Sequence, residues 1–189
     1  MALSPCLDGT AAEWIVRDKR PWTRVAGFGP GGFSAYARLR FLPDPGSPGD
    51  READAPEHEL TDLEEMARAA EVLAPHTTSS NRYFGVWDGW GGAFDSPALP
   101  RFAIRNRVYY LLSGVPEDLW TFGTSGMATY WPWPAFVWPE DRAWCLAHDV
   151  DPHWAGIGAS KEGIKALLAD DLLDVVEADP RVPQPFYRG

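Results

Sequence analysis

FSAYARLRF, residues 33–41, alternates without a break. Phe33, Ala35, Ala37, Leu39 and Phe41 fall on one side of an extended backbone; Ser34, Tyr36, Arg38 and Arg40 fall on the other. Successive side chains of a strand project to opposite faces, so this pattern predicts a strand with one buried and one solvated face. Residues 82–87, 102–104 and 108–112 read as further short strands, with Asp88-Gly89 and Ser113-Gly114 as turn signals between them. In residues 143–149 the alternation returns, with Trp144, Leu146 and His148 on one face and Cys145, Ala147 and Asp149 on the other. Strands joined by turns and not by helices pair antiparallel.

Outward from these strands, two helices are expected. Thr61 and Glu64 have the spacing of a capping box, followed by an apolar stripe of Leu63, Met66, Ala67, Ala70 and Leu73. Glu64 and Arg68 stand at i,i+4 spacing, which predicts an ion pair on the outer face. Ser160 is placed to cap a second helix over 160–169, with Ile164, Leu167 and Leu168 facing inward. Leu172–Val176 is legible as its extension or as a short strand. The expected fold class is therefore α+β, a mostly antiparallel sheet with two principal helices packed on it. Residues 1–32 read as irregular, and 43–58 (PDPGSPGDREADAPEH) as a mobile surface loop inside one domain spanning 1–189.

Composition narrows the function classes. The 189 residues are 45% hydrophobic and include ten Trp, enough for a substantial core. A net charge of -10 disfavours binding to nucleic-acid phosphates. No apolar run approaches the ~20 residues of a membrane span, and the first residues lack the basic and apolar regions of a signal peptide. A cytoplasmic location is the expectation. Two cysteines, Cys6 and Cys145, make neither a disulfide framework nor a zinc site.

Several motifs carry candidate chemistry. Gly27-x-Gly29-x-x-Gly32 matches the dinucleotide fingerprint as a string. A strand follows it and Pro30 interrupts it, whereas phosphate binding needs a strand before and a helix after, so a loop is expected. Gly123-Thr124-Ser125-Gly126 falls short of a nucleophile elbow, because Met127 stands where the second glycine belongs; a glycine-rich turn is the reading. The densest polar run is 148–153, where Asp149, Asp151 and His153 share parity with Cys145 and could hold a metal or act as acid and base. Its alternative is a strand end entering a solvated turn. Arg105 and Arg107, with Arg101, form a basic group that could hold an anion or pair with nearby acids.

Six of the ten tryptophans lie between Trp120 and Trp154. Trp131, Trp133 and Trp138 each precede a proline, and a stiff backbone bearing large rings suits a binding platform. From Glu140 to Asp179 acids far outnumber bases, a balance that a basic protein partner would match.

The stretch WPEDRAWCLAHDVDPHWAGIGASKEGIKALLAD, residues 138–170, resembles a C-terminal segment of uncharacterised actinobacterial proteins. The matching residues are Trp138, Pro139, Asp141, Arg142, Trp144, Asp149, Asp151, Gly156 and Ser160. The resemblance implies a shared fold unit, in which a strand leads through an acidic turn and a glycine-bearing loop into a short helix. Ala159 stands where a second glycine is typical, which argues against an anion-binding loop at the helix start. The expectation is a non-catalytic binding or interaction protein, of regulatory or immunity type. The alternative is a small enzyme or metal-dependent protein built on Asp149, Asp151 and His153.

Overall fold

In the computed structural model, which describes residues 3–56, 58–90, 99–119 and 133–187, the alternating stretch forms strand β2 (Ala35–Arg40). Around it are β1 (Ser4–Pro5), β3 (Arg82–Trp87), β4 (Arg101–Ile104), β5 (Arg107–Gly114), β6 (Pro134–Pro139), β7 (Cys145–Ala147), β8 (Trp154–Ala159) and β9 (Val175–Glu177). All described pairings are antiparallel, in one sheet ordered β1-β5-β3-β6-β7-β8-β2-β9, with β4 beside β5. The architecture is thus mixed helix and sheet with a large antiparallel sheet.

Four α-helices are described: α1 (Glu13–Val16), α2 (Trp22–Phe28), α3 (Asp62–Val72) and α4 (Lys161–Leu168). α3 begins at the expected capping box: the Glu64 amide donates to the Thr61 hydroxyl at 3.4 Å, and the Thr61 amide to the Glu64 carboxylate at 2.8 Å. α4 begins at Ser160, whose hydroxyl accepts from the Gly163 amide at 3.0 Å. The count of two helices needs correction, because α1 and α2 lie in the stretch read as irregular. They are four and seven residues long, too short to display a repeating stripe. The expected Glu64–Arg68 pair is also corrected. Glu64 is committed to the capping box, and Arg68 reaches Asp170 at 2.7 Å, tying α3 to the end of α4.

Both faces of the sheet are covered. On one face α3 and α4 pack over Leu39, Phe84, Val137, Trp144, Leu146 and Ile157. On the other, α1 and α2 pack over Tyr83, Leu111, Phe136, Trp138, Cys145 and Ala147. The alternation in 143–149 therefore sorts side chains between two cores, not between core and water. β6 and β8 are buried at all six of their positions, which is why neither alternates in sequence.

Two glycines set how α2 meets the sheet. Gly29 ends α2 at φ 70°, and a Cβ there would sit 2.7 Å from Cys145 Sγ. Gly156 in β8 lets the backbone of α2 come close; a Cβ would run into the Gly27 carbonyl and Phe28. Thus the glycines at 27–32 end a helix and turn the chain, and hold no nucleotide frame.

Residues 43–56 form no strand or α-helix, carry one 3-10 turn at Glu52–Asp54 and are exposed over 46–54, with a turn closed by Asp50 on Ser47 and Gly46. The ends of segment 43–58 are pinned: Asp44 to Arg38, and His58 to the buried Glu65 at 2.6 Å. No helix among the described residues is long and apolar enough to cross a membrane.

Candidate functional site

The β7–β8 connection, residues 148–153, is the densest polar run in sequence, and the structure sends its members in different directions. Asp149 meets Arg107 at 2.9 Å, while Asp151, 87% exposed, lies 4.0 Å from the same guanidinium. Burial pushes the Asp149 carboxyl above its ordinary range; the Val150 amide and Arg107 pull it partly back. Arg107 itself packs between two rings, with its guanidinium carbon 4.5 Å from the Trp87 centroid and 5.7 Å from that of Trp22. His148 turns inward against Phe41 and Trp133, and burial depresses it to about 4, which keeps it neutral at pH 7.

His153 enters a separate network. Its Nε2 lies 3.2 Å from Asp44, which also accepts both terminal nitrogens of Arg38, at 2.6 and 2.9 Å. Arg40 bridges Asp44 at 3.3 Å and Asp174 at 2.6 Å. Arg38 first, then His153 and Arg40, hold the Asp44 carboxyl down at about 2, against the opposing effect of burial. The face of β2 expected to be solvated, Arg38 and Arg40, is thus charged but mostly covered, with Arg38 5% exposed.

Asp149, Asp151 and His153, read from the sequence as a possible metal set, do not converge. Two of these groups go to Arg107 and the third to Asp44, and among the described residues no three potential ligands come together as a metal site. Parity along an extended backbone brought them together on paper. The turn at Pro152 breaks that backbone, and available arginines claim the carboxylates.

The proposed platform divides in the same way. Trp138 is fully buried in the α1–α2 core, against Trp14, Tyr83 and Phe102, so it cannot be a surface contact. Trp133 is 42% exposed and lies over His148, with ring centroids 5.8 Å apart. Trp131 and the Gly123–Gly126 turn lie outside the described residues. Arg105 sits exposed in the two-residue turn between β4 and β5 at φ 32°.

Beside the His153 network opens a cleft of about 540 Å³. Its floor is Phe28 and Trp154, whose rings approach to 5.1 Å; one wall carries Arg24 and Pro152, and the other is segment 180–187. Trp154 donates its indole N–H to the Pro185 carbonyl at 3.3 Å. Tyr187 donates to the Pro43 carbonyl at 2.7 Å and sets its ring edge-on to His153. The sequence reading missed this cleft. Its residues come from three separated stretches, and the prolines at 180, 183 and 185 are the local signal that could have pointed to the last of them.

The acidic stretch is largely consumed within the fold. Asp141 accepts from Thr77 and Thr78, Asp170 from Arg68, Asp174 from Arg40 and Asp179 from Arg181. Asp151, Glu162, Asp171 and Glu177 remain exposed.

Comparison with protein-family models, with curated proteins and with solved structures finds no match to this chain.

Proposed function

We propose that the protein is a non-catalytic interaction protein of the cytoplasm, of regulatory or immunity type, which binds a protein partner at the cleft between α2 and segment 180–187. The observation that carries this reading is the cleft itself. Rings and prolines line an open groove of a size that holds a peptide or small ligand, and Trp133 stands exposed elsewhere on the surface. Behind the cleft lining, Asp44 and Asp149 are held by Arg38 and Arg107, and His153 meets Asp44, contacts that hold neighbouring segments together. A net charge of -10, with Asp151 exposed at the cleft wall, favours a partner with a basic surface.

The resemblance of residues 138–170 to an actinobacterial segment is part of the same proposal. That stretch runs from the end of β6 through β7 and β8 to α4, a continuous piece of sheet with its covering helix, which supports its reading as a fold unit. The alternative, an enzyme or metal protein at Asp149, Asp151 and His153, draws less support from a geometry that separates His153 from the two acids.

Native mass spectrometry of the protein purified gently from its host tests the reading. The expected result is a second polypeptide, lost when Phe28→Ala opens the cleft floor while the fold is retained by circular dichroism. A stoichiometric metal or metabolite in place of a polypeptide would refute it.

A further inference from the structure

The chain carries 17 Lys and Arg against 27 Asp and Glu, but one concave part of its surface reverses that balance. Two clefts of about 540 and 590 Å³ lie where the start of β2 meets the chain leaving β9. They share Ala35, Tyr36, Ala178 and Asp179, and so adjoin along one rim. Arg20, Arg24 and Arg181 line the first, Lys161 and Lys165 the second. The acids on the two linings are Asp179 and Glu177. Cations gathered around a hollow focus their field into the space it encloses, where an anion is attracted.

The three arginines are held in different ways. Arg20 donates from Nε to both oxygens of Asp18, at 3.0 and 3.1 Å, and from Nη2 to the Gly29 carbonyl. Asp18 also accepts the Gly31 amide at 2.8 Å, which fixes the loop beneath the guanidinium. A Cβ at Gly31 would stand 3.1 Å from the guanidinium carbon, so glycine lets Arg20 lie close on the backbone. Arg20 Nη1 has no hydrogen-bond partner among the described residues. Arg181 spends Nε and Nη2 on Asp179, at 2.9 and 2.8 Å. Arg24 has no ion pair among the described residues and reaches the Arg181 carbonyl at a long 3.5 Å. Tyr36 adds a ring to the lining, edge-on to Phe28 and Phe33, with its hydroxyl 3.4 Å from the Pro30 carbonyl.

The chemistry of these groups favours one kind of anion. A guanidinium offers paired N–H donors to an oxyanion, and bonds between two charged groups are the strong ones. A carboxylate brings two oxygens and one charge. A phosphomonoester brings three oxygens and a charge of about -1.5 to -2 at pH 7, which suits donors arriving from three side chains. The contacts come from side chains around a turn, with no strand-to-helix frame of the dinucleotide kind.

We propose that the cleft lined by Arg20, Arg24 and Arg181 binds the phosphate of a small organic phosphomonoester, whose carbon body lies along Tyr36 towards Lys161 and Lys165. Arg24, with no carboxylate of its own, is the principal contact, and Arg20 is the positioned second one. Arg24, Pro180 and Arg181 also line the partner cleft described above, so the two sites share a wall. The proposal concerns a different ligand in a different cleft and does not rest on the interaction reading.

The test is calorimetric titration of the full chain with phenyl phosphate at pH 7 and about 0.15 M salt, where longer-range attraction is screened. One site per chain is expected, with a Kd of roughly 1 mM or tighter. Arg24→Gln should weaken it about tenfold, since a charged donor is lost. Lys165→Gln, at an exposed position of α4, should weaken it about threefold and serves as the second variant if Arg24→Gln proves unfolded by circular dichroism. Arg51→Gln removes the same charge outside both clefts, from an exposed pair with Asp54, and should leave the affinity within about twofold. No saturable binding up to about 10 mM overturns the proposal. So does an Arg24→Gln affinity equal to that of wild type, a loss in Arg51→Gln as large as in Arg24→Gln, or benzoate binding as tightly as phenyl phosphate.

Discussion

Replacing Asp44 by Asn tests the network that fixes the His153 side of the cleft. The side chains of Arg38 and Asp44 are 6% and 23% exposed, and they meet through two bonds at 2.6 and 2.9 Å. Asn keeps the shape and one acceptor but removes the charge, so a nearly buried guanidinium loses its counter-ion. Breaking a buried pair from one side costs about 3–5 kcal/mol, and the partial exposure of Asp44 lowers the expectation to about 2–3 kcal/mol. For a chain of this size that corresponds to a fall in Tm of roughly 5–10 °C. Exchanging both members, Arg38→Met with Asp44→Asn, removes the stranded charge and is expected to restore at least half of the loss, because no buried guanidinium is then left without its counter-ion.

The sign of the pH dependence follows from the same pair. The folded carboxyl titrates at about 2 against an ordinary 3.8, so the folded state favours the ionised form. That stabilisation is complete above pH 3.8 and disappears as pH falls towards about 2. The gap between wild type and Asp44→Asn should therefore be widest at neutral pH and narrow by about 1 kcal/mol near a pH of about 3, allowing for solvent screening. Differential scanning calorimetry and urea titration at both pH values supply the comparison. A variant melting within about 1 °C of wild type at pH 7 would refute the reasoning.

The two described tryptophans of the proposed platform should part company. Trp138→Ala opens a cavity in the α1–α2 core and is expected to cost about 3–5 kcal/mol by urea titration, whereas Trp133→Ala, at a half-exposed ring, should cost about 1 kcal/mol or less. Cys145 is fully buried, and burial pushes its thiol well above the ordinary thiol range. It should resist a thiol reagent at pH 8 in the native protein and react in full in guanidinium, and rapid native labelling of Cys145 by mass mapping would contradict the packing.

Local patterns were legible where one short stretch of chain decides the outcome. The strand within 33–41, the capping box at Thr61 and Glu64 and the Ser160 cap each depend on neighbours within a few residues, and each is found, the strand over Ala35–Arg40 with Phe33 in the opposite core and Arg38 covered. Helices α1 and α2 were missed because they are held by packing against the sheet and not by their own periodicity. β8 was missed because both of its faces are buried and two glycines interrupt its apolar run. Trp138 read as a surface ring because the proline after it suggested irregular backbone. In fact Pro139 ends the strand, and the ring beside it falls in the core.

For the candidate site the division is sharper. The amino-acid sequence by itself determined the antiparallel character of the sheet, the acidic balance and the concentration of polar groups at 148–153. It could not say which charges would meet. Asp44 and His153 are 109 residues apart, and Arg40 and Asp174 are 134 apart. A carboxylate pairs with whichever guanidinium the fold delivers to it, and here the β2–β8 and β2–β9 pairings deliver Arg38 and Arg40. The cleft exists only because α2, the β7–β8 turn and segment 180–187 converge at one end of the sheet, an arrangement that tertiary packing alone decides.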